Sequence, residues 1–115
     1  MSAPVYKLLR PREWEETRAQ GRFKGSPLDL KDGFIHFSTA AQARETAAKH
    51  FAGAAGLVLA EVDPERLPEP LIWENSRGGQ LFPHLYGEFP LSAVARSWEL
   101  ALGADGRHEF PADIP

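Results

Sequence analysis

The chain has no cysteine. That excludes disulfides, thiolate metal sites and a cysteine nucleophile together. No apolar run approaches the length of a membrane span, and the N-terminus carries no signal-peptide core. A soluble cytoplasmic protein with no membrane partner is the expectation. Basic runs are missing too. The net charge is -3, and Arg10, Arg12, Arg18, Arg22 and Lys24 are interleaved with Glu13, Glu15 and Glu16. That argues against nucleic acid held through a broad phosphate footprint. GxGxxG, phosphate-loop, GxSxG and HExxH motifs are all absent. The four histidines, His36, His50, His84 and His108, show no close metal-ligand spacing.

What is present fits one globular domain. The chain has 115 residues, 43% of them hydrophobic and 25% charged, which is enough to bury a core without staples. Residues 5-VYKLL-9 read as a strand. Pro11, the glutamates after it and Gly21 bracket a helix over 11–20, with Trp14 facing inward. Gly25, Ser26, Pro27 and 32-DG-33 read as a loop. A short strand, 34-FIHF-37, follows, with Phe34 and His36 on one face and Ile35 and Phe37 on the other. Thr39 and Gln42 fit a capping box for a helix over about 40–51, with Ala40, Ala43, Ala47 and Phe51 toward the core. The run 57-LVLAEV-62 predicts a central strand, and 65-ERL-67 one helical turn. Residues 71-LIWEN-75 form another strand, with Trp73 and Glu74 on opposite faces. A glycine-rich loop, 76-SRGGQ-80, leads to 82-FPHLYGEF-89, an aromatic stretch bent by Pro83 and Gly87. Residues 93–102 predict a last strand before a turn at 103-GADG-106, with a loose tail from Pro111. Helices early and strands late indicate an α+β fold.

Chemistry concentrates in two places. His36 precedes a helix N-terminus, where backbone N–H donors and the helix dipole suit an anion such as phosphate. The simpler alternative is a buried histidine satisfied by backbone. Ser38 and Thr39 beside it serve most simply as caps. His84 and Tyr86 are two residues apart, so in extended chain they share a face and can grip one ligand. Their alternative is a turn whose aromatics close the core. Glu74 is costly if it faces inward unpaired; otherwise it faces water or pairs with Arg77 or Arg96. Trp73 can stack a planar ligand or pack in the core. His50 and His108 receive no role.

The segments 32-DGFIHFST-39, 57-LVLAEVDPERL-67, 73-WE-74 and 82-FPHLYG-87 together resemble the small bacterial and plant family catalogued as domain of unknown function 952, across nearly the whole chain. The resemblance implies a fold like the ADP-ribosyltransferase superfold: a curved, split β-sheet with flanking helices that grips NAD or ADP-ribose in related proteins. It makes His36 the match to an early-strand histidine that holds ribose. Tyr86 and His84 match aromatic and later polar positions, and Glu74 a late carboxylate. The chain departs from that pattern in lacking a clear late-glutamate motif after its final strands.

Together these readings predict a NAD, ADP-ribose or related phosphorylated nucleotide ligand in a His36/His84/Tyr86 cleft. Glu74 and His84 are the catalytic candidates for ADP-ribosyl transfer or hydrolysis. His36, Ser38, Thr39, Trp73 and Tyr86 are the ligand-binding candidates, and no metal site is assigned. Two alternatives stand beside this: a non-catalytic ligand-binding module, and a metal enzyme using His36, His84 and Glu74 as two histidines and a carboxylate.

Overall fold

The computed structural model describes residues 3–112 and 114 and, of Arg77, only the backbone. In chain order the elements are β1 (Val5–Leu9), α1 (Pro11–Gln20), β2 (Arg22–Phe23), α2 (Pro27–Asp32), β3 (Ile35–His36), α3 (Ala40–His50), β4 (Val58–Val62), β5 (Ile72–Asn75), β6 (Leu81–Leu85), β7 (Phe89–Pro90) and β8 (Val94–Glu99). Short 3-10 turns lie at Pro64–Arg66, Arg77–Gly79 and Leu91–Ala93. The result is a small single-domain α+β fold. Among the described residues no helix is long and apolar enough to cross a membrane.

Among the described residues three antiparallel sheets organise the chain: β1-β4-β8, β3-β6-β5 and the pair β2-β7. The expected central strand is β4, and all five of its residues are buried. Alternation splits its sheet between two cores. Val5, Leu9, Ala60 and Val62 face one core, with Ile35, Phe37, Leu85 and Phe89. Tyr6, Leu8 and Leu59 face the other, with Ala43 and Ala47 of α3 and Leu100. Each fully buried Ile, Leu or Phe contributes roughly 1.5–3 kcal/mol of apolar transfer energy. Ile114 also lies in the second core, 4% exposed, so the tail is not loose there. Residues 113 and 115 lie outside the described residues.

Two helices follow the expected rules. In α1, the Glu13 carboxylate accepts the Arg10 N–H at 2.8 Å, and Gly21, at φ 78, ends the helix in the left-handed conformation. Trp14 is partly buried against the first core. In α3, Thr39 Oγ1 accepts the Gln42 N–H at 3.2 Å, and Gln42 Oε1 accepts the Thr39 N–H at 3.0 Å. Ala43 and Ala47 are buried, with Ala40 and Phe51 partly so.

Two readings are overturned. The loop expected at 25–33 contains α2. Its start is a second capping box: Ser26 Oγ accepts the Asp29 N–H at 3.2 Å and the Asp29 carboxylate accepts the Ser26 N–H at 2.9 Å, with Pro27 at the first helical position. The bent aromatic stretch is in its first half no turn: Phe82–Leu85 lies in β6, the centre of its sheet. Proline is rare in central strands because it cannot donate to the ladder. Pro83 keeps its acceptor role, since its carbonyl takes the Phe37 N–H at 3.0 Å.

An isolated backbone bridge joins β1 to the segment just after β3. The Tyr6 N–H donates to the Ser38 carbonyl at 2.7 Å and the Ser38 N–H to the Tyr6 carbonyl at 2.8 Å. Side chains of β1, of the segment 36–38 and of β6 line a common cavity beside this junction.

Candidate functional site

His36 and His84 are direct register partners across β3 and β6. Their rings approach edge-on, with centroids 5.4 Å apart. Phe34 stacks on His84 at 4.1 Å and lies 4.6 Å from His36 and 5.2 Å from Tyr86. Period-two alternation produces the cluster. Ile35, Phe37 and Leu85 point into the core, so Phe34, His36, His84 and Tyr86 point the other way.

The His36 half rests on a buried ion pair. Lys7 lies in an otherwise apolar strand, and its ammonium donates to Asp29 (3.0 and 2.9 Å) and to the His36 carbonyl at 2.8 Å. Asp29 Oδ1 also accepts the His36 backbone N–H at 3.1 Å and meets His36 Nδ1 at 2.6 Å. Burial by itself raises the Asp29 carboxyl, but the His36 hydrogen bond, the Lys7 charge and the Ser26 N–H outweigh it and hold the group far below the usual carboxylate range. Burial pushes the Lys7 ammonium below its ordinary value, against the pull of Asp29 and, more weakly, Glu13. The other ring nitrogen, His36 Nε2, faces Asp32 at 3.0 Å. An ionised carboxylate only accepts, so the contact to Asp32 presents Nε2 as a donor.

The His84 half is built differently. His84 Nδ1 sits 2.8 Å from Glu74 Oε1, and the Tyr86 hydroxyl donates to both oxygens of Glu74, at 2.8 and 3.1 Å. Hydrogen bonds from His84, then Tyr86, hold the Glu74 carboxyl below its ordinary range; the same contact pushes the Tyr86 phenol up. Glu74 is therefore the acceptor and His84 Nδ1 the donor. Among the described residues, His84 Nε2 is buried and has no hydrogen-bond partner. An unmade bond at a buried polar atom costs roughly 1–3 kcal/mol, so such atoms are uncommon in purely structural settings.

A cavity of about 530 Å³ brings these halves together; its walls include Tyr6, Lys7, His36, Ser38, Phe82 and His84, with Asp29 and Asp32 at the α2 side. Ser38 is thus placed beside His36, and its hydroxyl pairs with that of Thr46 at 2.9 Å. Thr39 and Trp73 are not brought in. Both line a second, separate cavity of about 680 Å³ with Pro4, Pro64 and Pro70. Trp73 lies on the other face of β5 from Glu74, as alternation requires. The Thr39 cap closes on its own Gln42, and Thr39 lines the other cavity. Glu74 and Tyr86 are not among the cavity-lining residues; they reach it through His84.

Arg77 and Arg96 are the arginines expected beside Glu74. Arg96 is committed to Glu61 in a two-pronged ion pair (3.0 and 2.9 Å), and the Arg77 side chain lies outside the described residues. His36 is satisfied by carboxylates, not by backbone carbonyls. Among the described residues no group of three or more histidine, aspartate or glutamate side chains is arranged to hold a metal ion. Four site residues escaped the sequence reading: Lys7, Asp29, Asp32 and Phe34. The usable signals were a lysine alternating with apolar residues in 5-VYKLL-9 and the Ser26–Asp29 capping spacing.

The chain is similar to the crystal structure of protein CC0527 from Caulobacter crescentus: 53% identity, 93% of this chain and 94% of that one covered, TM-score 0.88. A double mutant of that protein matches with 52% identity, the same coverage and a TM-score of 0.87. Its solution NMR structure matches with 52% identity, 90% of each chain covered and a TM-score of 0.76. No curated protein matches the chain. The family described as "Protein of unknown function (DUF952)" matches residues 8–97, and the chain belongs to that family.

Proposed function

We propose that the chain binds a nucleotide of the NAD or ADP-ribose class in the cavity between His36 and His84, and that His84 serves there as a proton acceptor. The observation that supports this most is the His84 ring: Nδ1 held by Glu74, Nε2 buried and unpartnered, on the wall of a cavity. A carboxylate–imidazole pair with a bare second nitrogen is the usual design of a general base. The cavity volume of about 530 Å³ is within the range of small-ligand sites. A sheet pair split beside the ligand cavity accords with the ADP-ribosyltransferase-like arrangement that the family resemblance implies.

In this reading His36 donates to a ribose or phosphate oxygen, and Ser38 offers a neighbouring hydroxyl. Glu74 orients His84 instead of touching substrate, and Tyr86 steadies Glu74. Hydrolysis of NAD would then run as follows. The bond from ribose C1′ to the nicotinamide nitrogen breaks, and nicotinamide leaves with the bonding pair. A water oxygen bonds to C1′, and its proton passes to His84 Nε2.

Calorimetric titration with NAD and ADP-ribose, paired with a nicotinamide-release assay, tests this. The expected result is saturable binding of both, and release that falls roughly 10²–10⁴-fold in His84→Ala while binding persists. Binding without release would leave a non-catalytic nucleotide module. No binding of either compound at millimolar concentration overturns the proposal.

A further inference from the structure

His36 has both ring nitrogens occupied by carboxylates from one short helix, and the two carboxylates are not equivalent. Asp29 is 2% exposed and receives Lys7, the Ser26 N–H and the His36 N–H besides the ring. It cannot turn away without stranding the Lys7 charge in the interior. Asp32 stands on the cavity wall with its side chain 37% exposed. Among the described residues, His36 Nε2 is the one partner of its carboxylate. Rotating Asp32 outward exchanges that single contact for water and strands nothing.

The two carboxylates therefore have separate tasks. Asp29 fixes the ring and the direction of Nε2. Asp32 only covers the donor that Nε2 presents. We propose that Asp32 is a displaceable stand-in for the ligand: its carboxylate holds the His36 ring donor until a phosphate or hydroxyl oxygen of the ligand takes its place. This rests on the cavity being the ligand site, as in the function proposed above. It goes beyond that reading in making Asp32 a competitor that sets affinity and selects for acceptor strength. A phosphate oxygen, itself anionic, replaces a carboxylate on that donor at little loss. A neutral group, which makes a weaker charge-assisted bond, displaces it poorly.

The test is calorimetric titration of wild type, Asp32→Ala, Asp32→Asn and Asp32→Ala/His36→Ala with pyrophosphate, ADP-ribose and adenosine. Asp32→Ala is expected to bind pyrophosphate and ADP-ribose about tenfold tighter than wild type, since it removes a competing charged hydrogen bond. Asp32→Asn keeps the shape without the charge and should gain less. The double variant should lose the gain, and adenosine affinity should change less than that of either anion. If pyrophosphate tightens through His36 while ADP-ribose binds neither protein, Asp32 has this role and the nucleotide class is wrong. If ADP-ribose binds wild type and Asp32→Ala equally, or neither anion tightens, the proposal for Asp32 is overturned. Melting temperatures of the variants near that of wild type exclude a folding cause for any loss.

Discussion

His36 and His84 are strand partners 5.4 Å apart, yet they sit in opposite settings. His36 is a ring with every nitrogen answered, one by a buried aspartate and one by a half-exposed aspartate. His84 is the more buried of the two and, among the described residues, has one nitrogen answered and one bare. The difference comes from what lies behind each ring. Behind His36 stands Asp29, anchored by the Lys7 ammonium in the interior. Behind His84 stands Glu74, near the surface and steadied by a tyrosine hydroxyl. In the function proposed above, the answered ring and the bare one divide the work of holding a ligand. Two identical histidines could not divide the work this way.

The largest expected effect breaks the His36 half. Asp29→Asn leaves the buried Lys7 ammonium without its counter-charge and should lower unfolding free energy by about 3–5 kcal/mol, read from the urea midpoint. Glu74→Gln should move that midpoint far less, because its group is near water. Equal losses in the two variants would dissolve the contrast between a buried anchor and a surface one.

Acid should separate the halves next. The Asp29 carboxyl is depressed in the folded protein, so it binds fewer protons folded than unfolded. Its stabilisation is fully present above the unfolded carboxylate value, about 4, and is lost as pH falls from there through the much lower folded value. Wild type should therefore lose stability below about pH 4 more steeply than Asp29→Asn. Parallel acid limbs would show that Asp29 carries no such linkage.

A smaller effect concerns the rings themselves. At a pH where the His84 imidazole is neutral, nitrogen NMR should find its proton on Nδ1 and Nε2 unprotonated. Glu74→Gln should weaken that preference. A proton on Nε2 in wild type would remove the acceptor that distinguishes His84 from His36. The smallest effect is at the rim. Tyr86→Phe removes one donor from Glu74, so the Glu74 carboxyl should rise partway toward its ordinary value, followed by carbon NMR. No rise would mean that Tyr86 does not bear on the His84 side.

Local signals carried much of the fold. Pro11 and Gly21 marked both ends of α1, and the Thr39–Gln42 spacing marked the start of α3, because caps act within four residues. The apolar run of β4 marked the centre of its sheet. The misses have equally local causes. Gly25, Pro27 and Asp32–Gly33 mask a six-residue helix, and Pro83 disguises a central strand whose missing N–H its carbonyl contact to Phe37 does not require. The aromatic stretch is half strand: its backbone belongs to a ladder, and only the residues after Leu85 turn away.

The sequence by itself determined which side chains share a face. Alternation put His36 with Phe34, His84 with Tyr86, and Glu74 opposite Trp73, because a strand's side-chain period is two whatever surrounds it. Only the tertiary structure decided which faces meet. Register between β3, β6 and β5 set His36 against His84 and brought Glu74 to His84, across gaps of dozens of residues in the first case and ten in the second. The packing of β1 against α2 brought Lys7 to Asp29 and so fixed the His36 ring. Such contacts depend on long-range pairing and shared burial, and no spacing along the chain encodes them.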